Sequence, residues 1–194
     1  MRTVVVYSDY VCPFCFLAEA RLKHAAEERG LALDWRPFEL RPEPTPTLRP
    51  EDEYLPRVWR QSVYPLAASL GVPIRLPSVS PQPYSRLAFE GFQHAKAHGL
   101  AAEYNHAVFA AFFQQDQDIG RPDVLTQLAT AIGLDAAAFR TDLDRGVYAA
   151  THRQALLDAE AEDIRSVPTI VVGRRHLAGL PHEDDLAELL DEAA

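Results

Sequence analysis

The sequence predicts an α/β fold in which a βαβ unit at the N-terminus and a ββα unit at the C-terminus build one mixed sheet, with a helical insertion between them. Three observations carry this expectation. A Val-rich run at residues 2–8 is followed by a helix-period pattern and then by a second apolar run. Prolines 37, 42, 44, 46 and 50 then break regular structure and mark a loop. Near the end, Thr169-Ile170-Val171-Val172 reads as a strand, Gly173-Arg174-Arg175 as a turn, His176-Leu177-Ala178 as its partner strand, and Glu183 to Ala193 as a closing helix. Residues 1–40 and 164–194 would then form the sheet domain, and residues 41–163 an inserted helical domain with proline-rich loops.

Each element has a local reason. The first strand runs through Val4-Val5-Val6-Tyr7, a composition suited to a buried strand. After Ser8-Asp9-Tyr10-Val11 comes Cys12, and Pro13 sits where a helix would begin, since its missing N–H is not needed there. Phe14, Leu17, Ala18, Leu22, Ala25 and Ala26 give Phe14 to Arg29 helical spacing, and Gly30 ends it. Leu31 to Phe38 reads as the second strand. In the insertion, Tyr104, Val108, Phe109, Phe112 and Phe113 form one apolar stripe and Val124, Leu125, Leu128, Ala131 and Ile132 another, with a second proline cluster (Pro73, Pro77, Pro81, Pro83) before them.

The bulk composition narrows the function. Among 194 residues, 19 Lys and Arg stand against 28 Asp and Glu, a net charge of −9. That balance argues against nucleic acid, whose binding needs clustered cations to displace counterions. The N-terminal apolar run is too short for a signal-peptide core, and no apolar stretch approaches the ~20 residues that span a membrane. A cytoplasmic location is the expectation.

The two cysteines are the informative feature, because they stand three positions apart, as Cys12-Pro13-Phe14-Cys15. A loop this small stabilises a fold little. A thiol attacks a disulfide as the thiolate, so its sulfur needs stabilised negative charge and access. A helix start offers unpaired N–H groups and the positive end of the dipole. Cys12 is therefore expected to be the low-pKa nucleophile, with the N–H groups of Phe14 and Cys15 pointing back at its sulfur. Cys15, one turn on and more enclosed, is expected to resolve the mixed disulfide. A zinc site would need two more ligands, and no second cysteine or histidine pair has finger-like spacing. His94 and His98 stand four apart, but Ala95 occupies the place where a zinc protease needs glutamate, so they read as two residues of a solvated helix face. Asp9 reads either as a turn residue or as a carboxylate that opposes the Cys12 anion or accepts a proton from Cys15. Two readings are open for Pro168. It starts an edge strand in the ordinary trans form, or it is cis and turns the backbone of Val167 toward the cysteines to pair with an extended substrate.

Ser8-Asp9-Tyr10-Val11-Cys12-Pro13-Phe14-Cys15, the long helical insertion and Ser166-Val167-Pro168-Thr169 together resemble the DsbA-like branch of the thioredoxin superfamily. The nearest likeness is to cytosolic FrnE-type proteins, echoed in Phe109-Ala110-Ala111-Phe112-Phe113, Gln117-Asp118-Ile119, Val124-Leu125 and Gly133-Leu134-Asp135. The resemblance implies a thioredoxin fold, cis geometry at Pro168, and dithiol–disulfide exchange at Cys12 and Cys15 with protein, peptide or small-molecule thiols. It implies Pro13, Phe14, Val167 and Thr169 as substrate-binding residues, no resident cofactor or metal, and glutathione as a candidate redox partner. Phe14 replaces the histidine of periplasmic DsbA, which removes a partner of the Cys12 thiolate and implies a less oxidising couple. The same branch contains 2-hydroxychromene-2-carboxylate isomerases and kappa-class glutathione transferases, which place serine where Cys12 stands, so the cysteine pair argues against them. A redox-sensing or chaperone-like module is a further alternative, with the Phe109, Phe112 and Phe113 stripe lining a peptide groove.

Overall fold

The computed structural model describes residues 3–193, so Arg2, the first residue of the expected strand, lies outside the described residues. The sheet has four strands in the order β2-β1-β3-β4: β1 (Thr3–Ser8), β2 (Ala32–Pro37), β3 (Thr169–Val172) and β4 (Arg175–Ala178). β1 lies inside the sheet, parallel to β2 with Val4 opposite Leu33, and antiparallel to β3 with Val6 opposite Ile170. Its position explains its composition, since Val4, Val6 and Tyr7 are fully buried. β3 and β4 form a hairpin whose turn begins at Gly173, at φ 58°. Arg175 belongs to β4 rather than to the turn, so the connection is one residue tighter than expected.

Helix α1 (Pro13–Glu28) joins β1 to β2. It buries Cys15, Leu17, Ala18, Leu22 and Ala26. Gly30, at φ 63°, ends it: the N–H of Leu31 reaches Ala26 O at 2.9 Å and that of Gly30 reaches Glu27 O at 3.1 Å. This is the paired bonding of a Schellman motif, which glycine adopts without a Cβ penalty.

The insertion contains α2 (Tyr54–Val58), a π-helical turn (Trp59–Val63), α3 (Tyr64–Leu70), α4 (Arg86–Ala97), α5 (Ala101–Phe113), α6 (Pro122–Ala131), α7 (Ala136–Arg145) and α8 (Ala149–Ala161). Pro65 has no N–H for the preceding turn, and the wider π turn accommodates that loss while keeping Trp59 and Val63 inward. α9 (Glu183–Ala193) closes the chain against β1, β3 and α1.

One hydrophobic core runs through both segments of the chain, joining Val4, Leu17 and Leu22 to Trp59, Phe92, Phe109 and Phe112. Tyr104, Val108, Phe109, Phe112 and Phe113 are fully buried, so the aromatic stripe is interior and lines no peptide groove. Phe16 stacks on Phe113 with ring centroids 5.7 Å apart and lies 5.8 Å from Phe109, locking α1 to α5. On the second expected stripe, Leu125 is buried and Ala131 is exposed, because α6 faces the core through Leu125 and Ala129.

His94 corrects the sequence reading of a solvated pair. It is 2% exposed, bonded through Nδ1 to Asp142 at 2.8 Å, and packed edge-on against Phe139 and Tyr148. His98 is exposed and stacks on it. Here α7 supplies a carboxylate to α4, a tertiary contact that helical spacing does not reveal.

Helices α4 and α5 meet closely at Gly91, where a Cβ would run into the Tyr104 ring and the Phe139 ring tip. Gly91→Ala is expected to destabilise the fold by about 1–3 kcal/mol through overpacking. A fall in the urea midpoint with an unchanged m-value is the measurement that checks it.

Candidate active site

The cysteines are placed by the exit from β1. Asp9-Tyr10-Val11-Cys12 is a turn closed by the Cys12 N–H on Asp9 O at 3.0 Å. Cys12 then caps α1 with extended backbone (φ −94°, ψ 110°), and Pro13 opens the helix as expected. One turn later Cys15 faces the core at 0% exposure, while Cys12 retains 4%. Both are free thiols. The expected bonds from the first helical N–H groups to the Cys12 sulfur are not formed. The N–H groups of Cys15 and Phe16 donate to the Cys12 carbonyl at 3.1 and 3.4 Å, and the cap has no side-chain bond. At the helix start the Cys12 sulfur therefore has no direct N–H donor.

The second wall comes from the segment before β3. The Val167–Pro168 peptide is cis, and the Cys12 thiol donates to the Val167 carbonyl at 3.7 Å. Thr169 is buried and its hydroxyl donates to Ser166 O at 2.7 Å, fixing the bend. Pro13, Phe14 and Val167 are partly buried around the cysteine pair. The structure thus brings Cys12, Cys15, Val167 and Pro168 together, with Pro13 and Phe14 on the helix side. Thr169 holds the bend through its hydroxyl and is turned away from the surface.

The two thiols differ in their surroundings. Burial pushes the Cys15 thiol well up, and the adjacent Cys12 thiol raises it further by hydrogen bonding and charge. The Asp9 N–H and the Ser8 hydroxyl oppose this by favouring the anion. Ser8 Oγ is buried and makes no hydrogen bond among the described residues, which leaves its hydroxyl available to the Cys15 sulfur. It is a site residue that sequence reasoning missed. Its one signal was a hydroxyl ending an otherwise apolar strand next to the cysteine motif.

Asp9 lies beneath the same turn, fully buried. Its Oδ2 accepts from the Leu40 N–H at 2.7 Å and its Oδ1 from the Val11 N–H at 3.4 Å. Burial pushes its carboxyl up to about 6; hydrogen bonds from Leu40, Ser85 and Val11 oppose the rise, and the charge of Glu39 adds to it. Asp9 thus shapes the turn, and it is also an ionisable group beneath it. Glu39 is held in turn by His152 of α8, at 2.6 Å. Among the described residues, no group of three His, Cys, Asp or Glu side chains could hold a metal ion.

A carboxyl raised from 3.8 to about 6 makes the folded state hold a proton that the unfolded chain releases. Its contribution to stability is full below about pH 4 and is lost as pH rises to about 6, a fall on the order of 3 kcal/mol. Asp9→Asn is therefore expected to flatten this window and to gain on wild type between pH 4 and 7. Urea unfolding at four pH values checks the sign.

The chain is 47% identical over 183 residues to YwbO of Bacillus subtilis (strain 168), covering 93% of this chain and 92% of that one. Its fold is similar to a 2-hydroxychromene-2-carboxylate isomerase, with a TM-score of 0.78 and 20% identity over 98% of this chain and 93% of that one. It is also similar to the cytosolic disulfide reductase DsbM of Pseudomonas aeruginosa, with a TM-score of 0.72 and 19% identity over 98% and 97% of the two chains. DsbM has also been solved with GSH. A family model described as a DSBA-like thioredoxin domain matches residues 3–191, and the chain belongs to that family.

Proposed function

We propose that this protein is a thiol–disulfide oxidoreductase that exchanges electrons between the Cys12–Cys15 dithiol and disulfides of proteins, peptides or small thiols. The observation that carries the reading is the arrangement of two free thiols at one helix start, the outer one against the Val167 carbonyl and the inner one enclosed. The Cys12 thiolate attacks one sulfur of a disulfide RS–SR′, forming Cys12–S–S–R and releasing R′S⁻. Cys15, once deprotonated, attacks Cys12 Sγ, closes the Cys12–Cys15 disulfide and releases RS⁻. Two electrons pass from the dithiol to the substrate, and the reverse sequence oxidises a dithiol.

The roles follow from the surroundings. Burial keeps Cys15 neutral until the mixed disulfide has replaced the adjacent thiol. Ser8 and the Asp9 N–H then support its anion. The Val167 backbone, beside Pro13 and Phe14, is the surface on which an extended thiol-bearing chain would lie. Glutathione is the proposed small partner, supported by the GSH-bound structure of the similar DsbM. A cytosolic setting is proposed on the same likeness, and no helix among the described residues is long and apolar enough to cross a membrane. With Phe14 in place of a histidine, the couple is expected to lie below the about −120 mV of DsbA.

Cys15→Ala is expected to trap a mixed disulfide at Cys12 with oxidised glutathione, seen by intact mass, and to lose multiple-turnover disulfide reduction. Retained turnover with glutathione and an aromatic isomerase substrate would instead favour the isomerase reading. Ser8→Ala is expected to slow thiol release from that intermediate about tenfold, the loss of roughly 1.4 kcal/mol of charge-assisted bonding. Stopped-flow measurement of the two steps would show the first unchanged; equal slowing of both would argue against this role for Ser8.

A further inference from the structure

We propose that the small cleft beneath the Asp9–Cys12 turn is a subsite for the protonated amino group of a low-molecular-weight thiol or disulfide. The inference rests on the oxidoreductase reading and narrows its substrate class. The cleft has a volume of about 50 Å³ and is lined by Asp9, Val11, Leu40, Thr47, Gln82 and Ser85, together with Arg41. A water needs roughly 10–15 Å³ on this scale, so the space suits a head group rather than a large side chain.

Two independent observations point to a cation subsite. Asp9 is wholly buried, yet it makes no ion pair among the described residues, and the nearby charge that acts on it is Glu39, of the same sign. Buried charges are ordinarily paired. Arg41 does not supply the pair, because its guanidinium donates to the Pro46 carbonyl at 3.1 Å. Gln82, from the opposite wall, is 6% exposed, and its side-chain amide makes no hydrogen bond among the described residues. Its backbone N–H is tied to Leu48 O at 2.8 Å, so the side chain is held at the cleft while its polar end is unused. Asp9 also keeps spare acceptor capacity, since it accepts from Leu40, Ser85 and, over a long 3.4 Å, Val11, while a carboxylate offers about four lone-pair positions. An ammonium would receive a charge from Asp9 and a second acceptor from the Gln82 amide oxygen.

The cleft adjoins the turn that carries Cys12. Asp9 and Cys12 are the ends of one hydrogen-bonded turn, which holds their Cα atoms within about 7 Å. Val11, the residue before Cys12, lines the cleft, so a thiol joined to Cys12 that carries an amine a few bonds from its sulfur would extend over the turn toward Asp9, whereas a thiol without an amine leaves Asp9 and Gln82 as they are. The high cost of keeping the Asp9 carboxylate ionised is consistent with a group retained for binding rather than stability.

The test uses the reduced protein and two disulfide probes, cystamine and its N,N′-diacetyl derivative, with formation of the Cys12–Cys15 disulfide followed at neutral pH. Each rate is divided by that of dithiothreitol with the same probe, which removes intrinsic reactivity. Wild type is expected to prefer cystamine at least tenfold after this correction. Asp9→Asn should bring the preference close to unity, and Gln82→Ala, which leaves the turn intact, should lower it at least threefold. A wild-type preference near unity, or one that survives both substitutions, overturns the subsite. Failure to form the Cys12–Cys15 disulfide with either probe overturns the oxidoreductase reading, and the subsite with it.

Discussion

The hydrogen bond from the Cys12 N–H to Asp9 O is the constraint on which the rest of the site depends. It turns a strand into a helix within four residues. The outer cysteine therefore sits on the helix dipole while the inner one stays under the sheet edge. The same turn drives the Asp9 side chain below the surface and presents its N–H to Cys15. A longer connection would preserve neither the registry of the sulfurs nor the position of the buried carboxylate. The aromatic packing of Phe16 against Phe109 and Phe113 holds the other end of this arrangement, because it fixes the roll of α1 against α5.

Burial is used twice here, with opposite consequences for stability. At Cys15 it costs little, since a neutral thiol behaves as a small apolar group. At Asp9 it works against the fold near neutral pH, since the carboxylate must lose its proton in a low-dielectric setting with Glu39 close by. Folds tolerate such a loss when the rest of the core is large, and this one runs unbroken from β1 to α7.

Much of this was legible in the sequence because it is local. Val-rich β1, the proline at the head of α1, Gly30 at its end and the Thr169–Val172 strand are each set by residues within a few positions of the element. The cysteine pair was legible as one unit at the head of a helix, because Pro13 marks the helix start beside it. What the sequence hid is tertiary. Nothing near His94 foretells that Asp142 will meet it from another helix. The directions of the N–H groups at the start of α1 depend on the cap backbone rather than on residue type. Ser8 gains its meaning only because the turn brings Cys15 beneath it, and Gln82 only because a distant loop is laid across Leu48.

The contact between Glu39 and His152 has an architectural consequence. It fastens the loop after β2 to α8, and the next residue in that loop, Leu40, is the one whose N–H holds Asp9. The helical insert is thus no detachable lid. Excising it, or exchanging it with that of a relative, would release the loop and loosen the floor beneath the reactive turn even if every residue of β1 and α1 were left untouched. A chimera built on this chain therefore has to carry the Glu39–His152 contact as a unit.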